Sequence, residues 1–173
     1  MTDTPTDVID AVAGTAPAIA ALRRTVTREQ SQASFDALFS PVDAAAVTLT
    51  ERWLVAVFAT RLTADDATAE FYAVRAREAD DRLAQLVLAE ADASATEGPF
   101  GVYAEAGLQS ENLEGPRYVP ASPVRETDGA SHDALLEAGW SVDGIVTLSQ
   151  LLAFLAFQQR VAAGLRVLSE VAA

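Results

Sequence analysis

Thr48-Leu49-Thr50-Glu51 opens a run that continues Arg52-Trp53-Leu54-Val55-Ala56-Val57-Phe58-Ala59-Thr60-Arg61-Leu62 and stops at Thr63-Ala64-Asp65-Asp66. A hydroxyl followed three residues on by a carboxylate is the spacing of a capping box, in which each side chain accepts from the other residue's backbone N–H. The helix it starts carries Trp53, Leu54, Val57, Phe58 and Leu62 with little polar circumference, so it is expected to be buried on most sides. Thr63 to Asp66 repeats the capping pattern and predicts a second helix directly after the first. That helix is expected to bury Phe71, Val74, Leu83, Leu86 and Val87. Its outer face is expected to pair Arg77 with Asp81 and Glu78 with Arg82.

Upstream, Val8 to Val12 predicts a short helix closed near Gly14 and Pro17. Ala18 to Arg24 predicts a second, and Arg28 to Phe39 a third that Pro41 cannot continue. Downstream, regular patterning stops over 94–130, where glycines and prolines recur from Gly98 to Gly129. Phe100, Tyr103, Leu108, Leu113 and Tyr118 make this stretch too apolar for a disordered linker. An ordered arm, packed on the body or on a neighbouring subunit, is expected. Ala134 to Ala138 predicts a short helix ended by Gly139. Ser141 then caps the last helix, with Asp143 in its first turn to complement the dipole. Ile145, Leu148, Leu152, Leu155, Val161, Leu165 and Leu168 run along that helix, and Val146, Leu151, Phe154 and Phe157 widen the apolar surface. Such a helix is either central in the core or shared with another subunit. Strand-type alternation is rare, so the expected fold is all-α in one domain, 1–173, with a long irregular arm before the last two helices.

Composition excludes several functions. The formal net charge is −13, which repels nucleic-acid phosphates and anionic lipid, so neither nucleic acid nor membrane is an expected partner. The chain contains no cysteine and so has no disulfide, thiolate nucleophile or thiolate metal site. Met1 to Asp10 carries three aspartates and no basic residue, unlike a secretory signal. The apolar stretch from Ile145 to Phe157 is short for a bilayer span, and a cytoplasmic protein is expected. There is no Gly-rich phosphate loop, G-x-S-x-G elbow or metal-ligand cluster, and no cofactor or metal is expected. His132, the only histidine, reads as a solvated loop residue.

Ala138-Gly139-Trp140-Ser141 followed by Ile145-Val146-Thr147-Leu148-Ser149-Gln150, then Ala153-Phe154 and Arg160-Val161-Ala162, resembles the carboxymuconolactone decarboxylase-like superfamily, which includes the alkylhydroperoxidase D-like proteins. Ser34-Phe35-Asp36-Ala37-Leu38-Phe39 resembles a segment of its peroxidase-related members. Pro99-Phe100-Gly101-Val102-Tyr103 and Glu111-Asn112-Leu113-Glu114-Gly115-Pro116-Arg117-Tyr118 look like a subgroup of carboxymuconolactone decarboxylase-domain proteins. The resemblance implies a multi-helix bundle of the alkylhydroperoxidase D-like type that assembles into dimers, trimers or hexamers.

The family's peroxidase site is a Cys-x-x-Cys pair with a nearby histidine and a glutamate on the preceding helix. On the register of the resemblance, Asp65 and Thr68 stand at the cysteine positions, Tyr72 at the histidine and Trp53 at the glutamate. A peroxidatic cysteine attacks as a thiolate and a second thiol resolves the sulfenic acid; Asp and Thr do neither. Asp65, Thr68 and Tyr72 nevertheless fall on one helical face and, with Trp53, form the candidate ligand-binding set. Glu51 has its structural task in the capping box; Arg160 and Gln158 lie on an otherwise apolar helix, where a charge suggests a buried pair with Asp or Glu. Two readings stand. One is a non-peroxidase binding or accessory protein, an oligomer working beside a cysteine-containing relative or holding a small metabolite. The other is a cysteine-independent acid/base enzyme of decarboxylase or lactone type, with Asp65 and Tyr72 as catalytic candidates.

Overall fold

The computed structural model describes residues 7–14, 25–64, 66–94, 106–112 and 130–171. Every regular element among them is helical: α1 (Val8–Ala13), α2 (Thr25–Phe39), α3 (Leu49–Thr63), α4 (Ala67–Ser94), α5 (Ala130–Glu137) and α6 (Val142–Val171), with a short 3-10 turn at Gln109–Glu111. The expected helix at 18–24 and most of the expected arm lie outside the described residues. The part of the arm that is described, 106–112, is turn and 3-10 backbone, exposed over 106–110.

A six-residue helix does not hold in isolation, because the first turn costs more backbone entropy than it returns. α1 is held by its neighbours. Asp7 caps it by accepting from the Asp10 N–H at 3.0 Å, and Arg28 of α2 bridges Asp7 and Asp10. Val8, Ile9, Val12 and Ala13 are buried. Gly14 ends it at φ 62°, in the left-handed region, and a Cβ there would stand 2.9 Å from the Cβ of Ala67. Both facts call for glycine, since only the absence of a side chain lets α1 approach the start of α4.

The capping box at Thr48 and Glu51 is present in full. The second cap differs from expectation. Ala64 is extended, Thr63 donates back to the Ala59 carbonyl at 3.1 Å, and the cap of α4 is Asp66, which accepts from the Thr68 and Ala69 N–H groups. A carboxylate competes well for the cap position and leaves Thr63 as the last residue of α3.

α4 is two helical rods. Asp80 has φ −161° and ψ 98°, and its carboxylate accepts from the Leu83 N–H at 2.9 Å, capping the second rod. A straight helix would carry Asp92 about 38 Å from Ala67. Instead Arg61, near the end of α3, donates to Asp92 at 2.7 Å, so the chain folds back at Asp80 and the second rod runs alongside α3. The expected Arg77–Asp81 and Glu78–Arg82 pairs span this break and lose their helical spacing; Arg77 meets Glu70 instead, at 3.2 Å. The inner face is made of small residues, Ala69, Ala73, Ala76, Ala84 and Ala91, with Tyr72 among them. Val74 and Leu86, expected inside, are exposed.

α6 runs parallel to α3, as the successive contacts Gln159 to Thr60 and Arg166 to Asp66 require. Its buried stripe is Leu151, Leu155, Gln158, Ala162 and Leu165, a period-3.6 row interrupted by one amide. Leu152 and Leu168, expected on the inner stripe, are exposed. Over Val142–Leu168 the helix is long and apolar enough to cross a bilayer by length and composition, well beyond the 145–157 stretch that suggested otherwise. Its inner face is nonetheless engaged by α1, α3 and α4.

Candidate functional site

The four positions singled out from sequence have different fates. Asp65 lies outside the described residues, between the end of α3 and the Asp66 cap. Thr68 and Tyr72 share a face of α4, as their spacing predicts, and both are fully buried. Trp53, on α3, is half-buried and reaches the same layer, its ring 6.2 Å from that of Tyr72.

Each of the three is held by packing or hydrogen bonds. Thr68 Oγ1 donates to the Val12 carbonyl at 3.1 Å and receives Arg166 Nη1 at 3.4 Å. Arg166 Nη2 donates to Asp66 at 2.5 Å, so the cap of α4 is tied to the last turns of α6. Tyr72 donates its phenolic proton to Gln158 Oε1 at 2.5 Å. Trp53 stacks on Phe39 with centroids 4.0 Å apart and planes 19° from parallel. Phe35 and Phe71 complete the aromatic layer, and Arg75 lies 3.3 Å over the Phe71 ring. The side chains thus form a polar seam from Asp66 to Gln158 against an aromatic wall.

Burial pushes the Tyr72 phenol above its ordinary range, against opposing pulls from Arg75 and from the Gln158 hydrogen bond. The unfolded chain releases this proton at about pH 10 while the folded chain keeps it. Stability is therefore unaffected by this group below pH 10 and falls above it, by about 1.4 kcal/mol per pH unit. Urea midpoints measured from pH 8 to pH 11 should decline steeply for the native chain and more gently for Tyr72→Phe. Equal slopes would show that the ring is solvated.

Sequence reasoning found Gln158 and misjudged Arg160. Arg160 is exposed; the charge that pairs is Arg166, further along α6, and the inner face takes Gln158 and Gln159. Gln159 Nε2 donates to the Thr60 carbonyl at 3.1 Å, while Gln158 Nε2 is buried without a partner among the described residues. His132 is exposed, on α5 and not in a loop. Among the described residues no three His, Asp or Glu side chains gather closely enough to hold a metal ion.

The residue that sequence reasoning missed is Arg52. It is 5% exposed, its Nε donates to the Val47 carbonyl at 3.0 Å and its Nη1 to the Leu38 carbonyl at 2.6 Å. It borders an open cleft of about 530 Å³ between α2, α3 and α6, whose floor includes Leu38 and Phe154 and whose rim includes Asp43, Thr147 and Gln150. A shallower depression of about 410 Å³ shares Ser34, Phe154 and Phe157 with it. A third cleft, of about 510 Å³, lies between the start of α3 and the α5–α6 turn at Trp140. Trp53, Thr68 and Tyr72 line none of these three. Comparison of the chain with protein-family models, with characterised proteins and with solved structures finds no match.

Proposed function

We infer that the chain is an oligomeric, cytoplasmic protein of the alkylhydroperoxidase D-like type that has lost the Cys-x-x-Cys peroxidase site. It serves as a non-peroxidase binding or accessory protein in antioxidant or small-metabolite metabolism, alone or beside a cysteine-containing relative. The observation that carries this reading is the state of positions 53, 68 and 72. Where the resemblance puts reactive groups, Trp53 is stacked, Thr68 is hydrogen-bonded on both sides and Tyr72 is sealed against Gln158. These groups hold helices together and contain no sulfur to cycle with peroxide.

The acid/base alternative through Asp65 and Tyr72 asks Tyr72 to exchange its proton near neutral pH. The burial of the phenol opposes that, so the binding reading is preferred. Support for self-association comes from Val142, Val146, Leu152, Phe157, Val167 and Leu168, all exposed on α6. An apolar surface of this kind on a highly charged chain suits a second copy of the same helix.

The test is one preparation assayed in two ways. Purified protein, sized by light scattering, should elute as a homo-oligomer and should consume neither hydrogen peroxide nor an organic hydroperoxide. Robust turnover without added cofactor would refute the loss of peroxidase function, and a monomer at all concentrations would refute the assembly.

A further inference from the structure

We propose that the cleft between α2, α3 and α6 binds a small monocarboxylate with an apolar body, its carboxylate on Arg52. The proposal rests on the reading of the chain as a small-metabolite binder and adds the site and the ligand class.

Arg52 is a buried charge without a counter-charge among the described residues. Arg28 reaches Asp7 and Asp10, Arg61 reaches Asp92, Arg77 reaches Glu70 and Arg166 reaches Asp66. For Arg52, no carboxylate among the described residues lies within ion-pair reach. The chain carries 25 acidic residues against 12 basic ones, so partners are not scarce. Asp43 borders the same cleft and instead accepts the Ala45 N–H at 2.8 Å. Taking a guanidinium out of water without an anion is costly, and two carbonyls satisfy only Nε and Nη1. Nη2 has no protein partner among the described residues, and Arg52 lines the cleft. A planar fork with an unused N–H edge beside open space fits a carboxylate.

The rest of the cleft sets the body of the ligand. Its volume is within the range of about 300–1,000 Å³ usual for small-molecule sites. Leu38, Phe154 and Phe157 offer apolar surface, and the neighbouring depression extends it past Ser34. Thr147 and Gln150 place a hydroxyl and an amide on the rim. Asp43 adds one negative charge there, which disfavours dianions and leaves a monoanion as the best match.

The test uses the full chain at low salt, titrated with benzoate, phenylacetate and octanoate, each compared with its neutral primary amide. Calorimetry gives the affinity, and backbone NMR shifts locate the site. At least one acid should bind about tenfold more tightly than its amide, with shifts at Thr147, Gln150 and Phe157. Gln150→Glu, an exposed near-isosteric change that adds a negative charge at the rim and leaves Arg52 in place, should weaken the acid about fivefold more than it weakens the amide. Equal affinity for acid and amide would overturn the anion site while leaving a binding protein. No binding by any probe up to about 10 mM would overturn the proposal, and the peroxide assay would stand apart from it. Shifts at Leu38 and Thr147, which line the cleft and lie off the exposed apolar face of α6, that track protein concentration without ligand would assign the cleft to a second copy and also overturn it.

Discussion

Tyr72→Ala should lower the stability of the folded chain by about 4 kcal/mol, the middle of the range for removing a buried aromatic ring. Tyr72 is fully buried, and its ring lies 5.1 Å from Phe71, 5.7 Å from Phe39 and 6.2 Å from Trp53 between centroids. Truncation opens a ring-sized void at the meeting point of α2, α3, α4 and α6, and rigid helices cannot collapse to fill it. The phenol contributes separately. Tyr72→Phe keeps the ring and leaves Gln158, whose Nε2 already lacks a partner, without its remaining one. That loss is worth about 1–2 kcal/mol. Urea midpoints at pH 7 should therefore fall in the order native, Phe, Ala, with the larger step from Phe to Ala. A Tyr72→Ala variant within about 1 kcal/mol of the native chain would mean the ring does not bind the helices together, and a ligand-facing role would regain ground.

The contrast between these two variants bears on how much could be read from sequence alone. Helix type and the capping box at Thr48 were legible because local rules decide them: an N-cap needs only its own neighbours. The same is true of the shared face of Thr68 and Tyr72. The break at Asp80 was not legible. No proline or glycine marks it, and the residues around it, Ala79-Asp80-Asp81, are compatible with helix. What bends the chain is that Asp80 can cap the next rod while the rod packs back on α3, a long-range gain invisible to a window of neighbours. The stripe of α6 was misplaced for a related reason. Ranking side chains by apolarity drew the line through Leu148 and Leu152, because the row Leu151, Leu155, Gln158 and Ala162 contains an amide and an alanine. The amide is inside because Tyr72 gives it a hydrogen bond, and that partner is 86 residues away. Arg52 escaped notice because it sits between the capping glutamate and a tryptophan, where a charge reads as surface. Its burial depends on two carbonyls from other segments.

Those two carbonyls make Arg52 the second position where a large loss is expected. Arg52→Leu should destabilise the chain by about 3 kcal/mol even though it replaces a charge by an apolar group. The Leu38 carbonyl stands in the last turn of α2, where no intrahelical N–H remains to meet it, and Val47 is fully buried just ahead of the α3 cap. The guanidinium serves both and so fixes the link over 40–48 between the two helices. Leucine fills part of the space and supplies no donor, leaving two acceptors buried and unmet. Arg52→Lys has a single donor centre and should recover only part of the loss, because one ammonium cannot copy the angle between Nε and Nη1. The measurement is thermal and urea unfolding of the three chains, with NMR shifts of Ala45 and Thr48 reporting whether the link has moved. If Arg52→Leu unfolds within about 1 kcal/mol of the native chain, water is reaching those carbonyls. The guanidinium would then not be a strut, and its burial would be left with anion binding as its one remaining purpose.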